Sequence, residues 1–166
     1  MSQTSQDEKT GDPVQAVAAD FEACSRRAIE CLLNRPTLLS KSFCAQSQIP
    51  AEPGIRCIIE SANGDHSLVI SLGLSKTDLE SLFAGEEDED LKLDAIGEMV
   101  NVISGSLFGR PGFHSRFGCM RASIPTFAPP SLEMGQARTI RGVLFVGTAH
   151  LFLELAIHSG TRGGNL

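Results

Sequence analysis

The chain contains no tryptophan and no tyrosine, and nine phenylalanines supply its whole aromatic content of 5%. That absence removes most of the flat side chains on which single-stranded nucleic acid stacks. Basic residues are also scarce: 14 Lys and Arg stand against 20 Asp and Glu in 166 residues, a formal charge of −6. No general attraction to nucleic acid or to an anionic membrane follows from that balance. Long apolar runs are missing too. Stretches such as Val143 to Val146 and Leu151 to Leu153 fall far short of the roughly 20 residues that span a bilayer. The opening MSQTSQDEKTGDPVQ has no apolar secretory core, so the expected location is the cytoplasm.

Cysteine is present but not patterned. The five, Cys24, Cys31, Cys44, Cys57 and Cys119, are odd in number and include no CxxC pair. They read as small, mostly buried hydrophobes rather than as a disulfide framework or metal cage. Catalytic signatures of the common kinds are absent as well. Ser104, Ser106, Ser123 and His114 sit in no G-x-S-x-G setting, and no glycine-rich phosphate loop follows a strand. His150, Glu154 and His158 recur along one strand, where four residues span roughly 13 Å, too far for the three to share an ion. No metal site is predicted.

What remains, 42% apolar and 20% charged, is enough for one domain with a real core. Residues 1–15 and 161–166 read as disordered tails around a domain from 16 to 160. Apolar residues at helical intervals, Val17, Phe21, Cys24, Ala28, Cys31 and Leu32, predict a helix over Pro13 to Asn34, stopped by Arg35-Pro36. Arg26 and Arg27 fall on its outer side as solubilising charges. Leu38 to Pro53 reads as a connecting segment. From Ile55 the period becomes two, predicting strands Ile55 to Ser61 and Ser67 to Leu72 about a tight Asn63-Gly64 turn with positive φ at both residues. Ser75 starts a short helix to Phe83, with Asp78 completing an imperfect capping box.

Gly85 ends that helix. Glu86, Glu87, Asp88, Glu89 and Asp90 follow, placed to favour the positive end of the next helix rather than to form an acidic recognition tail. A strand over Phe117 to Ile124, stopped by Pro125, and a loop over Ala128 to Gly135 come after it. Ile140 to Val146 and His150 to Ser159 form a second hairpin around Gly147-Thr148. On the last strand Leu151, Leu153, Leu155 and Ile157 face the core, and His150, Phe152, Glu154, Ala156 and His158 form a mixed outer face. Hairpins rather than βαβ units predict an α+β domain, a mostly antiparallel sheet with helices packed on one face.

The informative stretch is Leu91 to Phe108, LKLDAIGEMVNVISGSLF. At roughly 100° per residue, Ile96, Met99, Val100, Ile103 and Leu107 form one apolar face. Asp94, Glu98, Asn101 and Gly105 form a stripe about 60° wide on the opposite side. Asn is a mediocre helix former, and glycine inside a helix costs about 1 kcal/mol relative to alanine. A backbone left bare at Gly105, beside Ala95 and Ser104, would let a partner approach the carboxylate and the amide closely.

The run Asp94, three residues, Glu98, two residues, Asn101, then Pro125 about two dozen residues on, resembles the signature of the CheC/CheX/FliY chemotaxis phosphatases. With one such signature rather than two, the likeness is nearest to CheX-like domains and covers about residues 15 to 160. Two features depart from the usual pattern. The gap from Asn101 to Pro125 is slightly long, which reads as a loop insertion over Arg110 to Ser115, and Leu107-Phe108-Gly109-Arg110-Pro111 stands where small helical residues usually continue.

The resemblance implies that the chain binds a phosphorylated CheY-type receiver domain and hydrolyses its aspartyl phosphate. Asn101 would hold the attacking water in line with phosphorus, and Glu98 would reach a lysine of the receiver's site. Asp94 and Gly105 would serve partner docking, and Pro125 would be structural. The enzyme would need no cofactor of its own, since the Mg2+ belongs to the receiver. A homodimer is also implied. The alternative is a non-catalytic interaction domain that docks on a receiver or a flagellar-switch-like partner.

Overall fold

The computed structural model describes residues 13–45, 54–128 and 137–159. Within them ten elements follow in the order α1 (Pro13–Leu33), β1 (Leu38–Ala45), β2 (Ile55–Ala62), β3 (His66–Leu74), α2 (Lys76–Leu82), α3 (Glu89–Phe108), α4 (Pro111–Phe117), β4 (Arg121–Ala122), β5 (Arg138–Val146) and β6 (Ala149–Ser159). The strands make one sheet in the order β1-β5-β6-β3-β2-β4, every pairing antiparallel. The α+β expectation holds. Of the tail predicted over 1–15, residues 13–15 belong to α1 and the rest lies outside the described residues, as do the tail predicted over 161–166 and all but Ala128 of the loop predicted over 128–135.

Period decides what each element buries. On β3 and β6, Leu68, Ile70, Leu72, Leu151, Leu153 and Leu155 alternate onto the helical side of the sheet. There they meet Phe21 and Ile29 of α1, Leu79 of α2, and Ile96, Met99, Val100 and Ile103 of α3 in one core. The other side of the sheet carries a small cluster of Ile58, Val69 and Ala156. Beside it the Glu154 carboxylate accepts from Arg56 and from Arg141 Nε at 2.5 Å, drawing β2, β6 and β5 together. Glu154 therefore serves an ion-pair network on the mixed face of β6.

Five local expectations are corrected. Residues Leu38–Ala45 are a strand, not a connector: they pair with β5, and Phe43 drops its ring onto Gly142, where any Cβ would overlap it. This edge strand is exposed at most positions and its register is irregular, so it shows no clean alternation. Arg26 is more than a solubilising charge, since its Nε donates to Thr37 Oγ1 at 3.2 Å. The β2–β3 turn is centred on Gly64 and Asp65, with positive φ at neither Asn63 nor Gly64. Asn63 Oδ1 closes it by accepting from the backbone N–H groups of Asp65 and His66 at 2.9 and 2.8 Å.

The fourth correction bears on the site. The expected loop insertion at 110–115 is helical, and α4 runs on to Phe117. Pro111 stands at its first turn, where a missing N–H costs nothing. Phe113 of α4 is buried against Phe108 and Phe117, so apolar packing favours a helix there. Only Arg121–Ala122 of the strand predicted over Phe117 to Ile124 is paired, at the edge of β2.

Candidate functional site on the exposed face of α3

Helix α3 begins where Asp88 accepts from the N–H groups of Asp90 and Leu91, with Glu89 and Asp90 in the first turn. A side-chain cap and acids at the positive end both favour starting there. Its apolar face is sealed: Ile96, Met99, Val100, Ile103 and Leu107 are fully buried. On the opposite face Asp94, Glu98, Asn101 and Gly105 are all exposed. The stripe read from the sequence is therefore an accessible surface on a rigid element.

Glu98 Oε2 and Asn101 Nδ2 lie 3.5 Å apart. Three residues along a helix bring two side chains to neighbouring positions, so the carboxylate and the carboxamide occupy one small patch. Ser104 lies behind them, buried, its hydroxyl donating to Asn101 O at 2.8 Å. The two glycines differ in purpose. A Cβ at Gly105 would meet nothing within 4 Å, so the protein's own packing does not require glycine there. Gly97 is buried, and a Cβ on it would stand 3.6 Å from Pro125 Cβ.

That contact places Pro125. Ile58 and Thr126 exchange two backbone hydrogen bonds at 2.8 and 2.9 Å, while Ser123 N–H donates to Glu60 O at 2.7 Å. Between those anchors Ile124 and Pro125 oppose the single residue Ile59, which is a β-bulge on the sheet edge. Sequence reasoning identified Pro125 as a structural residue near the site, and the structure makes it the point where the bulge meets α3. It did not single out Ile124, whose side chain is 83% exposed, or Phe127, at 43%. Ile124 was the last residue of the predicted strand and Phe127 fell between Pro125 and the predicted loop, so apolar character was their only sequence signal.

The patch holds acceptors and an amide but no nucleophile or metal cage. No group of three or more His, Cys, Asp and Glu side chains among the described residues could hold a metal ion. No helix among them is long and apolar enough to cross a membrane. Chemically, a carboxylate beside a neutral carboxamide can pair with a cation and orient a water molecule on a partner's surface.

No family model and no curated protein matches the sequence. Solved structures do match the fold. The chemotaxis protein CheX from Desulfovibrio desulfuricans aligns with a TM-score of 0.66 at 12% identity, covering 86% of this chain and 99% of that one. A chain of the CheX-CheY-BeF3-Mg2+ complex from Borrelia burgdorferi aligns at 0.58 and 11%, covering 84% and 96%. The FliM middle domain from H. pylori aligns at 0.56 and 8%, covering 87% and 90%. The fold is thus the one found in CheX-like proteins and in the FliM middle domain.

Proposed function

From a CheX-like fold that exposes a carboxylate beside a carboxamide, we propose that this protein is a phosphatase acting on the aspartyl phosphate of a phosphorylated receiver domain. The observation that carries the reading is the 3.5 Å pairing of Glu98 with Asn101 on the open face of α3. In this scheme the helix enters the receiver's pocket. Asn101 Nδ2 is held by Glu98, and Oδ1 accepts a proton of water, setting its oxygen in line with phosphorus. The water oxygen bonds to phosphorus as the bond to the aspartyl oxygen breaks. The receiver regains its carboxylate and inorganic phosphate leaves.

A neutral amide suits this work because it orients water without repelling the phosphoryl oxygens. Glu98 docks on a lysine of the receiver through a charge-assisted bond. Mg2+ is the receiver's, and it neutralises the phosphoryl charge. Asp94 and the bare Gly105 extend the contact along the helix. Asn101→Ala should leave receiver binding nearly intact and abolish stimulated hydrolysis. Unchanged hydrolysis in that variant removes Asn101 from the mechanism.

The second reading, a non-catalytic adaptor on a receiver or switch partner, draws support from the likeness to the FliM middle domain. Substoichiometric protein separates the two. A phosphatase accelerates phosphate loss over many turnovers, and an adaptor acts only in proportion to its amount.

A further inference from the structure

We propose that Ile124 and Phe127, on the bulged segment beside α3, form the apolar half of the surface that docks the phosphorylated receiver. The proposal rests on the phosphatase reading for the identity of the partner and adds the contact that sets affinity. A single exposed isoleucine is ordinary on a protein surface. This one is unusual in how firmly it is presented. Thr126 and Ser123 hold the segment to β2 on either side of it, and Pro125 faces the bare Gly97 of α3.

The bulge has a geometric consequence. An extra residue in one strand re-aims the side chains at that point, and here the inserted pair opposes Ile59, which faces the core. Pro125 turns to α3 and Ile124 stands in solvent immediately before it. Gly97, whose missing side chain would point at Pro125, directly precedes Glu98. Ile124 is thus one residue from Pro125, and Glu98 one residue from the Gly97 that Pro125 faces, on a backbone already held to β2, so little conformational freedom is lost on binding.

Charge completes the description of the occupant. From Glu86 to Phe108 the exposed side carries seven carboxylates and no exposed cation, because the one lysine, Lys92, is buried. The fitting partner shows a basic rim around its acceptor pocket and an apolar depression next to it. A phosphorylated receiver that offers a lysine to Glu98 meets the first condition, and the second is the prediction.

The test starts by incubating the protein with each phosphorylated receiver domain from the same cell. For the receiver that responds, kcat and KM are measured for the wild type, Asn101→Ala, Ile124→Asp and Ile124→Ala. Kd is measured separately for the receiver held in its activated form by beryllium fluoride and Mg2+. Ile124→Asp should raise both KM and Kd by about tenfold or more, and Ile124→Ala by roughly threefold, with kcat at saturation within about twofold of wild type. Thermal melts should coincide, since the side chain is exposed.

If Asn101→Ala stops turnover while Ile124→Asp leaves KM and Kd unchanged, the docking inference is overturned and the phosphatase reading stands. A receiver that binds without being hydrolysed ends the phosphatase reading, and the Kd of Ile124→Asp still decides the docking surface. A wild type that neither binds nor dephosphorylates any receiver overturns both.

Discussion

Lys92 Nζ stands 2.8 Å from Glu80 Oε2, a bond that ties the only lysine of α3 to the short helix α2. Lys92 is buried and Glu80 half exposed, so the ammonium depends on this partner far more than the carboxylate does. Glu80→Ala leaves a positive charge in a poorly hydrated position and should cost about 1–2 kcal/mol of stability. Lys92→Met in the same background should recover part of the loss. Urea unfolding of the two variants measures both effects.

Gly105 lies inside α3 with open space where a side chain would go. Gly105→Ala should therefore stabilise the protein by about 0.5–1 kcal/mol through helix propensity alone. If a partner's backbone approaches there, the same variant raises KM for the phosphorylated receiver while Tm rises. A higher Tm with unchanged KM would place the receiver elsewhere on the helix.

Glu98 is assigned a docking role, which separates it kinetically from Asn101. Glu98→Gln keeps the shape and removes the charge. KM should rise by about tenfold and kcat change little, and the slope of KM against ionic strength should flatten because one screened charge pair is gone. Equal losses in kcat and kcat/KM would instead assign Glu98 to the reacting atoms.

Asp78 joins α2 to β6. Burial raises its pKa, but hydrogen bonds from Ser75 and His150 outweigh that and hold it below the usual 3.8. Its carboxylate completes the capping box of α2 with Ser75 and accepts from His150 N–H at 3.0 Å. A group with a depressed folded pKa contributes stability above its unfolded pKa and loses it as pH falls through the folded value. Asp78→Asn should lower stability by about 1 kcal/mol at pH 7, with a smaller difference from wild type at pH 3. Urea denaturation at the two pH values gives the comparison.

The cysteines differ in reactivity by their surroundings. Against the expectation of mostly buried cysteines, only Cys24 and Cys57 are buried; Cys31 and Cys119 are exposed, and burial pushes the Cys57 thiol up to about 11. A thiol needs its thiolate to react. In native protein at pH 8, Ellman's reagent should label Cys31 and Cys119 quickly and leave Cys57 unlabelled until denaturant is added. Peptide mapping after timed quenching identifies the sites.

The exposed stripe of α3 was legible before the fold was known. The i, i+4, i+7 and i+11 spacing of Asp94, Glu98, Asn101 and Gly105 defines one helical face wherever the helix sits, and the buried residues opposite it define which way that face turns. The two central hairpins were equally plain, since alternation with turn residues is a local signal. β1 was missed because an edge strand with one buried side chain carries almost no period. Residues around Phe117 were misread because the β-rich composition from 117 to 124 competes with aromatic packing that only the assembled core supplies.

The sequence by itself determined which residues share a helix face and which strands turn back on each other, because both follow from geometry repeated every few residues. Only the tertiary structure decided that Leu38–Ala45 joins the sheet, that 111–117 is helical, and that Pro125 meets Gly97 and leaves Ile124 in solvent. Those outcomes depend on contacts between segments tens of residues apart, whose energies are set by which surfaces are left to pair once the core has formed.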